Sequence, residues 1–194
     1  KAIQDANKKL TSIINKNVET VLDPTFLLSK EEWEKEIDNI KSTKQKYILA
    51  YVVEKNNEYM KIVNYLSEKT GLKVIYFDNR NIGYKNPMKS AFTSGPLEFV
   101  SYVKNAEYIV ATSFHATAFS IIFNKKFFII PHKVTGSRVT NILEKLNIEG
   151  RIYYTLNEFK SIDYNNEIDW KRVNKKLSRE REKSIDWLKN AIEK

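Results

Sequence analysis

The chain has 194 residues, 42% hydrophobic and 29% charged, which supplies one domain with a real core and excludes two ordinary domains or a disordered chain. It has no cysteine and only two histidines, which excludes disulfides, thiol catalysis, Cys-ligated zinc and a multi-histidine metal centre. The net charge of +9 suits an anionic partner, but the lysines are scattered with no basic block or aromatic-interleaved RNA motif, so most read as solvated surface and no nucleic-acid partner is expected.

Taken in chain order, Ile3, Ala6, Leu10 and Ile13 recur at helical spacing and predict a helix over 1–15. A short strand follows at 18–22 and is stopped by Asp23-Pro24. Ser29 with Glu32 three residues on is a capping box, opening a helix to about residue 40. The nearly continuous apolar run at 47–53 predicts a strand buried on both faces, as in a parallel sheet. An amphipathic helix over 56–70 carries Tyr59, Ile62, Val63 and Leu66 on one face and ends at Gly71. A second buried strand at 73–77 leads into a loop over 78–93.

Ser94-Gly95-Pro96 opens a helix to residue 105, with proline at an early helical position. A third strand is expected at 108–112, a short apolar helix at 115–123, and a fourth strand at 127–130 closed by Pro131. A helix at 138–146 and a short strand near 151–154 follow. Trp170, Val173, Leu177, Ile185, Leu188 and Ile192 share one face of a last helix from 169 to the end. Strands alternating with helices predict an α/β fold: a Rossmann-like open parallel sheet with helices on both faces. Ligands bind such sheets beyond the carboxyl ends of the strands, so the loops to watch are 54–57, 78–93, 112–116 and 131–138. No apolar run reaches the ~20 residues of a membrane span, and a cytoplasmic location is expected, peripheral to the inner membrane face at most.

Three loops carry candidate chemistry. Thr112-Ser113-Phe114-His115 leads straight into a helix, whose free N–H groups favour phosphate or carboxylate. Thr112 and Ser113 can donate to an anion, and His115 suits acid–base work near neutral pH. Position alone supports equally a capping serine and a half-buried histidine packed under a loop. With no Asp or Glu adjoining His115, a Ser-His-Asp triad is not indicated. At Gly95-Pro96-Leu97-Glu98, Gly95 permits close backbone approach and a second helix end offers N–H groups, with Glu98 a capping-box partner. After the fourth strand, Lys133 offers a point charge and Arg138 a bidentate clamp, with Ser137 as an N-cap. There is no GxGxxG or Walker A motif.

Three ordered segments carry a resemblance: Val21-Leu22-Asp23-Pro24-Thr25-Phe26-Leu27-Leu28 leading to Glu32-Trp33; Gly95-Pro96-Leu97-Glu98-Phe99; and the run 111–123 that contains Thr112-Ser113-Phe114-His115. Together they resemble the polysaccharide pyruvyl transferase family, and the likeness extends to Ser137-Arg138 and the closing Arg181-Glu182-Lys183-Ser184 helix. The family is similar to GT-B glycosyltransferases, with two Rossmann-like domains facing a cleft, and this chain matches the second. The resemblance therefore implies that 1–22 is the tail of an N-terminal domain or a linking helix and strand, and that 23–194 is the donor-binding domain.

It further implies transfer of pyruvate as a ketal from phosphoenolpyruvate to a glycan or lipid-linked saccharide of a cell-surface or exopolysaccharide, with no separate cofactor and no metal. The family's motif histidine falls on His115, as general acid or phosphate ligand, and its later basic residue on Lys133. Amides at Ser113 and Gly95, with Pro96, Glu98 and Thr112 around them, complete the anion site. Several members carry arginine where this chain has Ser113, and the arginine supplied by the first domain has no counterpart here, so the isolated chain is expected not to turn over. A nucleotide-sugar GT-B domain and a non-catalytic module of a larger enzyme are the alternative readings.

Overall fold

A computed structural model describes residues 9–13, 18–53, 57–78, 83–131 and 136–193. Five strands form one sheet: β1 (Tyr47–Tyr51), β2 (Lys73–Tyr76), β3 (Pro87–Ser90), β4 (Tyr108–Ala111) and β5 (Lys126–Ile129). Their order is β3-β2-β1-β4-β5 and every pairing is parallel. The central register sets Ile48 opposite Val74 and Tyr108, and Leu49 opposite Ile75 and Ile109.

Parallel strands need crossovers, and helices supply them between β1 and β2, β3 and β4, and β4 and β5. The helices are α1 (Lys30–Glu36), α2 (Asn57–Thr70), α3 (Pro96–Asn105), α4 (Phe114–Ile122), α5 (Gly136–Leu146), α6 (Leu156–Lys160) and α7 (Trp170–Ile192). Period-two alternation along each strand sends side chains to two cores. Leu49, Ile75, Ile109, Phe127 and Ile129 pack with α3, α4, α5, α7 and Phe26 on one face. Ile48, Val74, Val110 and Phe128 pack with Tyr59, Ile62, Val63 and Leu66 of α2 and Phe159 of α6 on the other. This is the expected Rossmann-like α/β sheet with helices on both faces. Among the described residues, no helix is long and apolar enough to cross a membrane.

The local signals at element ends hold. Ser29 Oγ accepts from Glu32 N at 3.2 Å and Glu32 Oε2 accepts from Ser29 N at 2.7 Å, closing the capping box. Gly71 ends α2 at φ 71°, a left-handed value glycine adopts without steric cost. Asp169 caps α7 by accepting from Arg172 N at 3.0 Å.

Several expectations are corrected. The loop over 78–93 contains β3, whose Pro-Met-Lys-Ser sequence gives no apolar run because it is an edge strand beside an irregular register at Val74/Ile75. Residues 18–22 form no strand; the Leu22 N–H donates to Ser184 Oγ of α7 at 3.0 Å instead of to a ladder. Residues 151–154 make only a single parallel bridge, Ile152 to Ile129, with Tyr153 N donating to Ile129 O at 2.9 Å. The first long helix stops at Glu36, and a 3₁₀ turn at Pro24–Phe26 and the helix α6 were not anticipated. Of the helix expected over 1–15, residues 9–13 are helical, and 1–8 and 14–15 lie outside the described residues.

Candidate functional site

From β1 the chain moves outward to β2 and β3, then returns to the other side of β1 for β4 and β5. The strand order therefore reverses between β1 and β4, and the crevice opens beyond the carboxyl ends of these two strands. The backbone there is tightly joined. Thr112 N donates to Tyr51 O at 3.0 Å, and Val53 N donates to Thr112 Oγ1 at 3.0 Å. Thr112 and Ser113 are both buried.

Ser113 has extended backbone and caps α4, its Oγ accepting from Ala116 N at a long 3.5 Å. Thr117 Oγ1, fully buried one turn on, donates to Ser113 O at 2.9 Å and fixes the carbonyl from below. In these bonds both hydroxyls of the turn act as acceptors, and each keeps its own O–H proton to give. Ser113 thus takes the predicted capping role while the turn still presents donors at a helix N-terminus.

His115 is exposed in the first turn of α4, its ring 5.6 Å from Phe114 at an interplanar angle of 77°. Phe114 is itself held from two sides. The guanidinium of Arg138 lies 4.2 Å from its ring centroid, and Phe26 meets it edge-on at 6.4 Å. Arg138 Nη2 donates to Asp23 Oδ2 at 2.8 Å. Asp23 also accepts at Oδ1 from Thr25 N at 3.1 Å and Thr25 Oγ1 at 2.8 Å, capping the Pro24–Phe26 turn. Trp33 Nε1 donates to Thr25 O at 2.9 Å and completes this corner. The Asp23-Pro24-Thr25-Phe26 segment, 115 residues from Arg138, therefore positions the start of α4.

Two cavities flank the turn. One, of about 300 Å³, is lined by Leu22, Asp23, Phe26, Phe114, Arg138 and Lys145. The other, of about 490 Å³, lies beyond β1 and β2 and is lined by Tyr51, Val53, Phe77, Phe92, Gly95 and Phe99 among others. Gly95 caps α3 with extended backbone, φ −76° and ψ 178°, and Pro96 is the first helical residue. Glu98 folds back over this helix end: a Cβ built on Gly95 would lie 2.7 Å from Glu98 Oε2.

The structure thus brings Thr112, Ser113, His115 and Arg138 to one side of the switch point, and sets Gly95, Pro96 and Glu98 at the neighbouring cleft. Lys133 lies outside the described residues. Ser137 does not cap α5, because that helix already begins at Gly136 and Ser137 is its exposed second residue. Arg138 is not a free clamp: the chain's own Asp23 takes one of its five N–H donors. The Asp23–Arg138 bond, the Arg138 stack on Phe114 and the aromatic lining of the larger cleft were missed by sequence reasoning. The aromatics come from four separate segments that no local spacing connects.

Comparison with protein-family models matches residues 6–134 to polysaccharide pyruvyl transferase. A search of curated proteins finds no match. The matched span holds all five strands, the Asp23 corner, Gly95-Pro96-Leu97-Glu98 and Thr112-Ser113-Phe114-His115, and covers about two-thirds of the 194 residues. The chain belongs to the polysaccharide pyruvyl transferase family.

Proposed function

We propose that this chain binds the donor of a ketal pyruvyl transfer, phosphoenolpyruvate, at the β4–α4 turn and serves its transfer to two hydroxyls of a glycan or lipid-linked saccharide. The observation that carries this reading is the exposed His115 in the first turn of α4, directly after two hydroxyl donors at the sheet's switch point. The N-terminal amides of α4 and the O–H groups of Thr112 and Ser113 hold the carboxylate or phosphate. His115, protonated, gives a proton to the enol carbon, and the neighbouring carbon becomes oxocarbenium-like. One sugar hydroxyl adds there, the C–O bond to phosphate breaks, and the second hydroxyl closes the ketal. The two hydroxyl protons balance the step: one restores the acid and the other leaves with the phosphate.

In this reading Lys133 adds a cation to the donor site, and the facing domain that the family resemblance implies completes the cleft. We place the reaction in the cytoplasm. The test follows the imidazole NMR signals of the two histidines while phosphoenolpyruvate is titrated into the chain, with uridine diphosphate and inorganic phosphate as controls. A selective response of His115 to phosphoenolpyruvate is expected. A response to uridine diphosphate alone overturns the reading in favour of a nucleotide-sugar glycosyltransferase. In the intact enzyme, His115→Ala should lower kcat about 10²–10⁴-fold, the usual worth of a positioned general acid; unchanged activity would favour a non-catalytic module.

A further inference from the structure

The larger cleft has a chemistry that an anionic donor does not need. Tyr51 of β1, Phe77 after β2 and Phe99 of α3 form a three-ring cluster, with centroids 5.2 Å apart for Tyr51–Phe77 and Tyr51–Phe99 and 5.3 Å for Phe77–Phe99. Phe92 and Val53 stand at the rim, 57% and 67% exposed. Large apolar side chains are rarely left this open around a concave surface without a ligand to cover them. Among the described residues lining the cleft none is a cation, and the helix end that could attract an anion already carries the Glu98 carboxylate.

We infer that this aromatic cleft is the subsite for the acceptor, taking a neutral pyranose ring of the glycan on the Tyr51, Phe77, Phe92 and Phe99 surface. A pyranose presents a face of C–H bonds with slight positive character, which suits the negative face of an aromatic ring. Glu98 does not line the cleft itself, but its carboxylate lies over Gly95 at the cleft's edge, where it repels phosphate and can accept from a sugar hydroxyl. The Tyr51 phenol makes no hydrogen bond to any described residue and is available to the sugar. The Val53–Thr112 bond joins this cleft to the β4–α4 turn, so a sugar here borders the donor. The inference rests on the proposed function and divides the carboxyl edge of the sheet between two substrates.

Saturation-transfer difference NMR on the full chain tests it, using methyl β-glucopyranoside, methyl β-galactopyranoside and methyl α-mannopyranoside with the aromatic protons irradiated. At least one glycoside should receive saturation at its ring C–H protons. Phe92→Ala, at an exposed position, should fold normally and weaken that glycoside about three- to tenfold, the worth of one aromatic contact. Phosphoenolpyruvate should leave the sugar signal in place. Displacement of the sugar by phosphoenolpyruvate or uridine, an unchanged signal in Phe92→Ala, or no signal from any of the three overturns the subsite. The histidine titration separates the two ideas. A His115 response without a sugar signal sinks the subsite alone, and a sugar signal without a His115 response sinks the donor reading alone.

Discussion

Arg138 and Asp23 show how a single residue's role depends on what the fold brings beside it. Arg138 stacks on Phe114 and bonds Asp23, yet its side chain is 57% exposed against 17% for Asp23. The Coulomb part of the pair is therefore solvent-screened, and a double-mutant cycle should give a coupling of about 0.2–1 kcal/mol. Asp23→Ala should cost more than Arg138→Ala, about 1–2 kcal/mol, because it also uncaps the Pro24–Phe26 turn. Thermal or denaturant unfolding of the three variants checks the order; a larger loss for Arg138→Ala would show that its stack on Phe114 outweighs the cap. His115 also contacts the Phe114 ring, edge-on at 5.6 Å, so Arg138→Ala is also expected to alter the donor response of His115 without abolishing it.

Among the elements, the central strands were legible because they are buried on both faces. Tyr47–Tyr51 and Tyr108–Ala111 read as unbroken apolar runs and appear as β1 and β4, with all four residues of β4 buried. Ile109, fully buried between β1 and β5, should lose about 2–5 kcal/mol on Ile109→Ala, since both neighbouring strands hinder collapse of the cavity. Chemical denaturation measures this, and a loss below about 1 kcal/mol would mean that the core relaxes freely. β3 was not legible. An edge strand buries little, so Pro87-Met88-Lys89-Ser90 carries no pattern, and only pairing with β2 makes it a strand. The segment 18–22 erred the other way: Leu22 joins the core and bonds Ser184 of α7 instead of pairing in the sheet.

Across the whole molecule, α7 ties the 22–26 segment to the C-terminal part of the chain. Ser184 Oγ accepts from Leu22 N at 3.0 Å across 162 residues, and Arg181 Nε donates to Phe26 O at 2.6 Å. Ser184→Ala leaves the buried Leu22 N–H without its partner and should cost about 1–3 kcal/mol. Hydrogen exchange at Leu22 should speed up well before the central strands respond; uniform acceleration would mean that this corner opens only with global unfolding. Stability should also fall at high pH. Burial raises the phenols of Tyr47 and Tyr59 far above the ordinary tyrosine value and pushes Tyr84 up to about 12. Their neutral forms are favoured only in the folded state. Stability is therefore complete below about pH 10, the unfolded value, and is lost as pH rises past it. Each phenol contributes about 1.4 kcal/mol per pH unit while only its unfolded form ionises. Tyr47→Phe should make the alkaline slope shallower, which titration of the unfolding free energy reads directly.

The sequence by itself determined the α/β class, the helix caps at Ser29 and Ser113, the inner strands and the family, because caps, periodicity and apolar runs are local and write themselves into neighbouring residues. It also singled out Thr112-Ser113-Phe114-His115 as the turn to watch. Tertiary structure alone decided that Arg138 would be held by Asp23 and that Tyr51, Phe77, Phe92 and Phe99 would share one cleft. These are contacts between segments far apart in the chain. Such contacts depend on the order and register of the parallel strands, which crossover helices set and which no short stretch of residues encodes.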